Sequence, residues 1–251
     1  MEGAAMKIEK ATSSAAPILL IYGQEGRGKT TLACKAEKPL AFLLERGLPK
    51  GVTVDAVASA DNFDTVMTAL REFYVDPGEY RSLVFDTVDA LETILIDYVC
   101  FKNNWPNIEK PAYGKGWVAA DVEWQNFLRA VSAIRDKHAT TIILTCHASI
   151  ERVDDPRAPS NTAYAPKLHK RARGLVMDAC DAIFFLSEDL HIITDDRDRA
   201  RAAAGAGRYL FAQGRPAFAA KNRFGIPEKV PLPINANFSD IAQYWANGVI
   251  P

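Results

Sequence analysis

Eight consecutive residues, Gly23-Gln24-Glu25-Gly26-Arg27-Gly28-Lys29-Thr30, fit the pattern G-x-x-x-x-G-K-[ST] and are followed by Thr31. Each position in such a run has a chemical task. The glycines let the backbone bend so that successive N–H groups turn inward on a phosphate chain. Lys29 is placed to reach the β- and γ-phosphates, and the Thr30 hydroxyl to ligate magnesium. The helix N-terminus that follows adds a favourable dipole. Such a loop needs a carboxylate beside it to hold the cation through its water shell, and Asp86 stands at the tip of the apolar run Ser82-Leu83-Val84-Phe85. Hydrolysis needs a second acid to polarise the attacking water. Thr87 and Val88 follow Asp86, so that acid is not its neighbour in sequence. Glu45 is the leading candidate, because it ends the strand after the phosphate-loop helix, where parallel strands deliver side chains to the ligand crevice.

These residues must be carried by alternating strands and helices. Residues 17–22 are a short apolar run that reads as a buried strand, and Thr31-Leu32-Ala33-Cys34-Lys35-Ala36 opens a helix. Further strands are predicted over 39–44, 52–57, 82–86, 140–146 and 182–186. Helical spacing marks Phe63, Val66, Met67, Leu70 and Phe73, then Val88, Leu91, Ile94, Leu95, Tyr98 and Val99, then Trp124, Phe127, Leu128, Val131 and Ile134. A further helix is predicted from Lys167. Two stretches, 103–115 and 149–166, are rich in Pro, Asn, Asp and Ser and read as long loops, which in a compact domain are usually functional. Short β-like pieces at 191–194, 208–211 and 216–220 suggest antiparallel strands extending the sheet edge. The fold class predicted is α/β, a mostly parallel central sheet flanked by helices with antiparallel C-terminal strands along one edge. The organisation is a flexible leader over 1–16, one domain over 17–230 and a C-terminal tail over 231–251.

Composition narrows the partners. Of 251 residues 48% are hydrophobic, enough for a sizeable core, and the net charge of −1 with a pI near 6.4 excludes a general polyanion-binding bias. A nucleic-acid surface must then be local. Cys34, Cys100, Cys146 and Cys180 form no CxxC pair and read as buried thiols of a reducing compartment. No secretory signal and no apolar run of membrane-spanning length is present, so a cytoplasmic protein with no membrane partner is expected.

With these residues in place the chain resembles RecA-like proteins. The run from Gly23 to Thr31 looks like the RecA phosphate loop, including Glu25 at its third position. Leu43-Leu44-Glu45-Arg46-Gly47 resembles the strand that ends in the catalytic glutamate, and Phe85-Asp86-Thr87-Val88-Asp89-Ala90-Leu91 resembles the magnesium-site strand. His147 stands where RecA-like proteins place a polar residue that senses the γ-phosphate; RecA has Gln there, so His147 is a departure. Lys221-Asn222-Arg223-Phe224-Gly225 resembles the Lys-x-Arg-x-Gly segment of RecA-like hexameric helicases, whose basic residues reach the nucleotide of a neighbouring subunit. Together these pieces look like the short RecA-like ATPases of bacteriophages, including the Sak-type single-strand annealing recombinases, over most of 17–227. The resemblance implies ATP as nucleotide with Mg2+, and self-association into a ring or filament with Lys221 and Arg223 acting across the junction. It also implies single-stranded DNA as substrate, a single-strand-binding protein as a further partner, and a bacterial host cytoplasm.

In RecA-like proteins the DNA-contacting loops follow the magnesium-site helix and the sensor strand, where both long loops of this chain fall. The first interleaves Lys102, Trp105, Lys110, Tyr113, Lys115 and Trp117, a mixture that suits stacked bases and phosphates. The second runs into Lys167, His169, Lys170, Arg171 and Arg173. Two other functions fit the same loop. One is a nucleotide-gated helicase loader or recombination mediator with little hydrolysis. The other is a small-molecule kinase, for which Arg197, Arg199, Arg201 and Arg208 would resemble a lid.

Overall fold

The computed structural model describes residues 16–154, 159–194, 200–233 and 235–246. The leader expected over 1–16 lies outside these except for Ala16, which is buried.

The first apolar run forms β1 (Ile18–Gly23), buried at every position. A strand buried on both faces needs cover on both, and its alternation divides the core in two. Ile18, Leu20 and Tyr22 face one side with helices α2 (Phe63–Val75), α3 (Val88–Lys102), α4 (Lys115–His138) and α5 (Lys170–Ala179). Leu19 and Ile21 face the other with α1 (Lys29–Ala33) and α6 (Ser239–Ala246).

The parallel strands run in the order β3 (Asp55–Ala56), β2 (Pro39–Leu43), β4 (Ser82–Asp86), β5 (Thr141–Val153), β1, β7 (Ala182–Thr194). Beyond β7 the sheet turns antiparallel. β8 (Ala200–Phe211) and then β10 (Lys229–Pro231) continue it, and β9 (Lys221–Asn222) pairs with the start of β7. The predicted α/β class with an antiparallel edge is the fold observed.

The structure corrects several local expectations. The loop predicted over 149–166 is largely a β-ribbon, in which β5 runs on to Val153 and pairs antiparallel with β6 (Asn161–Pro166), Ala148 opposite Pro166 and Val153 opposite Asn161. Asp, Pro and Ser at the turn masked it, while Ile150, Val153, Thr162 and Tyr164 carry the β-favouring side chains. Helix α4 begins at Lys115, ahead of its apolar stripe, so the first loop is shorter than predicted and ends in a 3-10 turn, Ala112–Gly114. The piece at 191–194 is the outer part of β7, and 216–220 is a turn with isolated bridges at Phe218. The strand expected over 52–57 is reduced to Asp55–Ala56, and the helix expected from Lys167 starts at Lys170. Beyond residue 230, Leu232, Ala236, Phe238 and Ile241 are buried against the sheet face that carries α1. Among the described residues no helix is long and apolar enough to cross a membrane.

The larger core is organised around rings: Phe85 stacks on Phe42 at 4.5 Å and meets Phe127 edge-on at 5.0 Å. Phe127→Ala empties a fully buried position and is expected to lower the unfolding free energy by about 3–5 kcal/mol. Tyr113→Ala, at a side chain 98% exposed, should change it by no more than about 0.5 kcal/mol. Chemical denaturation of both variants checks the contrast.

Candidate nucleotide site

Parallel pairing fixes which side chains share the carboxyl end of the sheet. Gly23 at the end of β1 is opposite His147 on β5, and Leu43 at the end of β2 is opposite Asp86 on β4. The phosphate loop therefore starts beside His147, and Glu45 leaves its strand beside Asp86.

Within the loop Gly26 and Gly28 adopt φ of 71° and 86°, a conformation that favours glycine. Gly23 is required for space, since a Cβ there would lie 2.2 Å from the Leu186 carbonyl oxygen. Lys29 is buried, and its Nζ donates to the carbonyls of Gly23 at 2.9 Å and Gln24 at 3.0 Å. Burial holds its ammonium below the ordinary lysine value, against the pull of Asp89, Asp86 and Glu45. The cation is thus stored on the loop's own carbonyls. Gln24 donates to the Tyr164 hydroxyl at 3.2 Å, Arg27 pairs with Glu188, Glu25 is exposed and Thr31 is half-buried.

Asp86 is 6% exposed and accepts from neutral donors: the Thr30 hydroxyl at 2.9 and 3.0 Å to its two oxygens, and the Thr145 hydroxyl at 2.5 Å. Among the described residues no cationic side chain forms an ion pair with it. A buried carboxylate beside a hydroxyl, with no direct ion pair, is the hard oxygen donor set that fits a magnesium ion.

Glu45 accepts from the Thr87 hydroxyl at 2.7 Å, and its Oε1 lies 3.4 Å from His147 Nδ1. His147 is gripped more firmly by Asp89, which takes its ring Nδ1 at 2.9 Å and its backbone N–H at 3.0 Å. The hydrogen bond to Asp89 raises the imidazole above its ordinary value, outweighing burial. Burial pulls Asp89 upward, yet hydrogen bonds from the His147 ring and backbone and from Thr87 outweigh it and bring the carboxyl down to about 2. Glu45 and Asp89 open onto a cleft of about 550 Å3 shared with Ser149, Lys167 and His169. His147 is thus hydrogen-bonded to Asp89 and stands within ion-pair distance of Glu45, beside Asp86.

The structure thus brings Lys29, Thr30, Glu45, Asp86 and His147 together. It does not bring Lys221 or Arg223 to them. Both sit level with the start of β7, at the far end of the sheet, Lys221 donating to the carbonyls of Met177 at 3.1 Å and Asp178 at 3.3 Å, Arg223 pairing with Asp181 at 3.2 Å. Lys110, Tyr113 and Lys115 are exposed in the connection before α4, and Lys167 and Lys170 are exposed around the start of α5. Arg171 and Arg173 are taken up by Asp121 and Glu151. Arg197 and Arg199 lie outside the described residues, while Arg208 bonds to the carbonyl of Arg27 in the phosphate loop at 2.8 Å.

Sequence reasoning missed Thr87, Asp89, Thr145 and the loop contact of Arg208. Asp89 carried a signal, standing three residues after Asp86 in the first turn of α3. Thr145 carried one only through the register of β5 against β4.

In Asp89→Asn the His147 ring should titrate lower than in the parent, whose midpoint lies above the ordinary 6.5. Ring-proton shifts read this directly. Because the folded-state value is raised, the stabilisation is complete below the unfolded value and is lost as pH rises through the folded one. The stability gap between parent and Asp89→Asn should narrow over that rise.

The AAA domain family model AAA_24 matches residues 15–224. The SPbeta prophage-derived uncharacterized protein YorG of Bacillus subtilis (strain 168) is 27% identical over 177 residues, 68% of this chain and 51% of YorG. The chain therefore spans about half the length of that relative. Among solved structures, the crystal structure of the RadB recombinase is similar at a TM-score of 0.50 and 15% identity, covering 86% of each chain. That likeness is one of fold. With the phosphate-loop motif in place and a family model matched over most of its length, the chain belongs to the AAA domain family and has a RecA-like α/β fold.

Proposed function

We propose that the protein is a magnesium-dependent ATPase of bacteriophage type that acts on single-stranded DNA in recombination, by annealing or strand exchange. The observation that carries its hydrolytic part is the placement of Glu45, steadied by Thr87 and facing His147, next to the buried Asp86 and Thr30. The polyphosphate enters the loop and Lys29 exchanges the carbonyls of Gly23 and Gln24 for phosphate oxygens. Thr30 and Asp86 would hold Mg2+, which would supply positive charge against the charge developing on the phosphoryl group. Glu45 takes the proton of the attacking water, and the open cleft beside it admits that water. His147, oriented by Asp89, meets the terminal phosphate as a donor.

Lys221 and Arg223 lie too far from their own loop to serve it, which supports delivery from a second copy in a ring or filament. Their present partners are two carbonyls and one exposed ion pair, contacts that can be exchanged at a junction. For DNA, Tyr113 is the strongest support: a ring 98% exposed, between the exposed Lys110 and Lys115, can stack on a base while the lysines follow phosphates. The prophage origin of YorG and the fold shared with the RadB recombinase fit this reading.

Lys29→Ala should abolish turnover, and Glu45→Gln should bind ATP while losing about 10²-fold or more in rate. Single-stranded DNA should raise the parent's rate, more steeply as protein concentration increases, and Tyr113→Ala should blunt that response. A rate indifferent to single-stranded DNA at every concentration sinks the DNA reading. Phosphoryl transfer to a small acceptor in place of water would make the protein a kinase.

A further inference from the structure

Glu188 on β7 and Arg208 on β8 are directly opposite each other in the antiparallel ladder, yet both turn to Arg27 of the phosphate loop. Glu188 takes the side chain of Arg27 and Arg208 takes its main chain. The Arg208 guanidinium is spread over three carbonyls: Nη1 donates to Arg27 O at 2.8 Å, Nη2 to Pro233 O at 2.9 Å, and Nε to Leu232 O at 3.4 Å. No carboxylate is among its described partners, and an arginine at this depth stays charged. A Cβ on Gly28 would meet Nη1, so a larger residue there would push the guanidinium end aside, and the positive φ already favours glycine. The segment that follows Pro233 is tied to the same place by Lys35, whose Nζ donates to Ala236 O at 3.0 Å.

A planar trans peptide points its C=O and the next N–H in opposite directions. Holding the Arg27 carbonyl toward β8 therefore turns the Gly28 N–H to the other side of that peptide. We propose that the Glu188–Arg208 pair is a clamp that sets the phosphate loop in its phosphate-binding conformation, with Arg208 as the positioning residue that aims the Gly28 N–H and adds its charge to the field felt by the polyphosphate. The clamp is built in cis from the antiparallel edge of the sheet and is separate from the action of Lys221 and Arg223. It rests on the nucleotide reading of the loop.

The test is the affinity of the full chain for ATP, ADP and AMP, by competition against a fluorescent nucleotide, in the parent and in Arg208→Ala, Arg208→Lys, Glu188→Gln and Lys29→Ala. Arg208→Ala should weaken ATP by about tenfold or more, the scale of a lost charge-assisted hydrogen bond, and weaken AMP much less. Arg208→Lys should recover part of the loss, because one ammonium can keep the charge and one carbonyl contact. An unchanged ATP affinity, or equal losses for ATP and AMP, overturns the clamp. If Arg208→Ala fails to fold, Glu188→Gln decides in its place, with a weakening that again falls on ATP more than AMP. Lys29→Ala separates the two readings: if it binds ATP like the parent, the loop assignment itself fails. If Lys29→Ala loses ATP while the clamp variants keep it, the clamp alone fails.

Discussion

One buried carboxylate ties the site together. Asp86 sits at 6% exposure at the tip of β4 and is met by hydroxyls from two other elements, Thr30 on the phosphate-loop helix and Thr145 on β5. Its own carbonyl accepts the backbone N–H groups of Leu44 at 2.8 Å and Glu45 at 3.3 Å. A charge this deep is tolerated only with hydrogen-bond donors arranged around it. Satisfying it therefore brings the loop helix, β5 and the end of β2 to one point. Among the described residues no cationic side chain pairs with it directly, so its oxygens stay open to a divalent cation.

Glu45, the candidate hydrolytic acid, is consequently a separate residue from Asp86, the candidate metal ligand. Glu45 is steadied through Thr87, the residue after Asp86, and through its approach to His147. His147 is in turn fixed by Asp89 at two points, so its ring has little freedom to turn away. The next residues of β5 continue without a break into the β5–β6 ribbon, and Tyr164 on the returning strand receives a hydrogen bond from Gln24 of the phosphate loop. The ribbon is thus rooted in the candidate nucleotide site on both of its strands.

Much of the fold was legible because its strands are apolar runs buried on both faces, and its helices carry clean apolar stripes such as Phe63, Val66, Leu70 and Phe73. The ribbon was not legible, since half-exposed strands rely on backbone pairing and their side chains look like those of a loop. Helix α4 was shortened in the reading because its first turns, around Val118 and Val122, present apolar residues to solvent. The burial of Leu232, Phe238 and Ile241 was equally hidden, because a short apolar segment does not announce which face of the sheet it will cover.

The sequence by itself singled out the phosphate loop and the strand-end carboxylates Asp86 and Glu45 as the candidate site, since glycines, a lysine and carboxylates at strand ends have few other uses in that order. Only the tertiary structure decided how those groups are held. Register across parallel strands placed Thr145 on Asp86 and His147 by Glu45, and an antiparallel edge placed Arg208 against Arg27. These contacts join residues far apart in the chain. No local pattern encodes them, because hydrogen-bond pairing between strands depends on where whole elements come to rest.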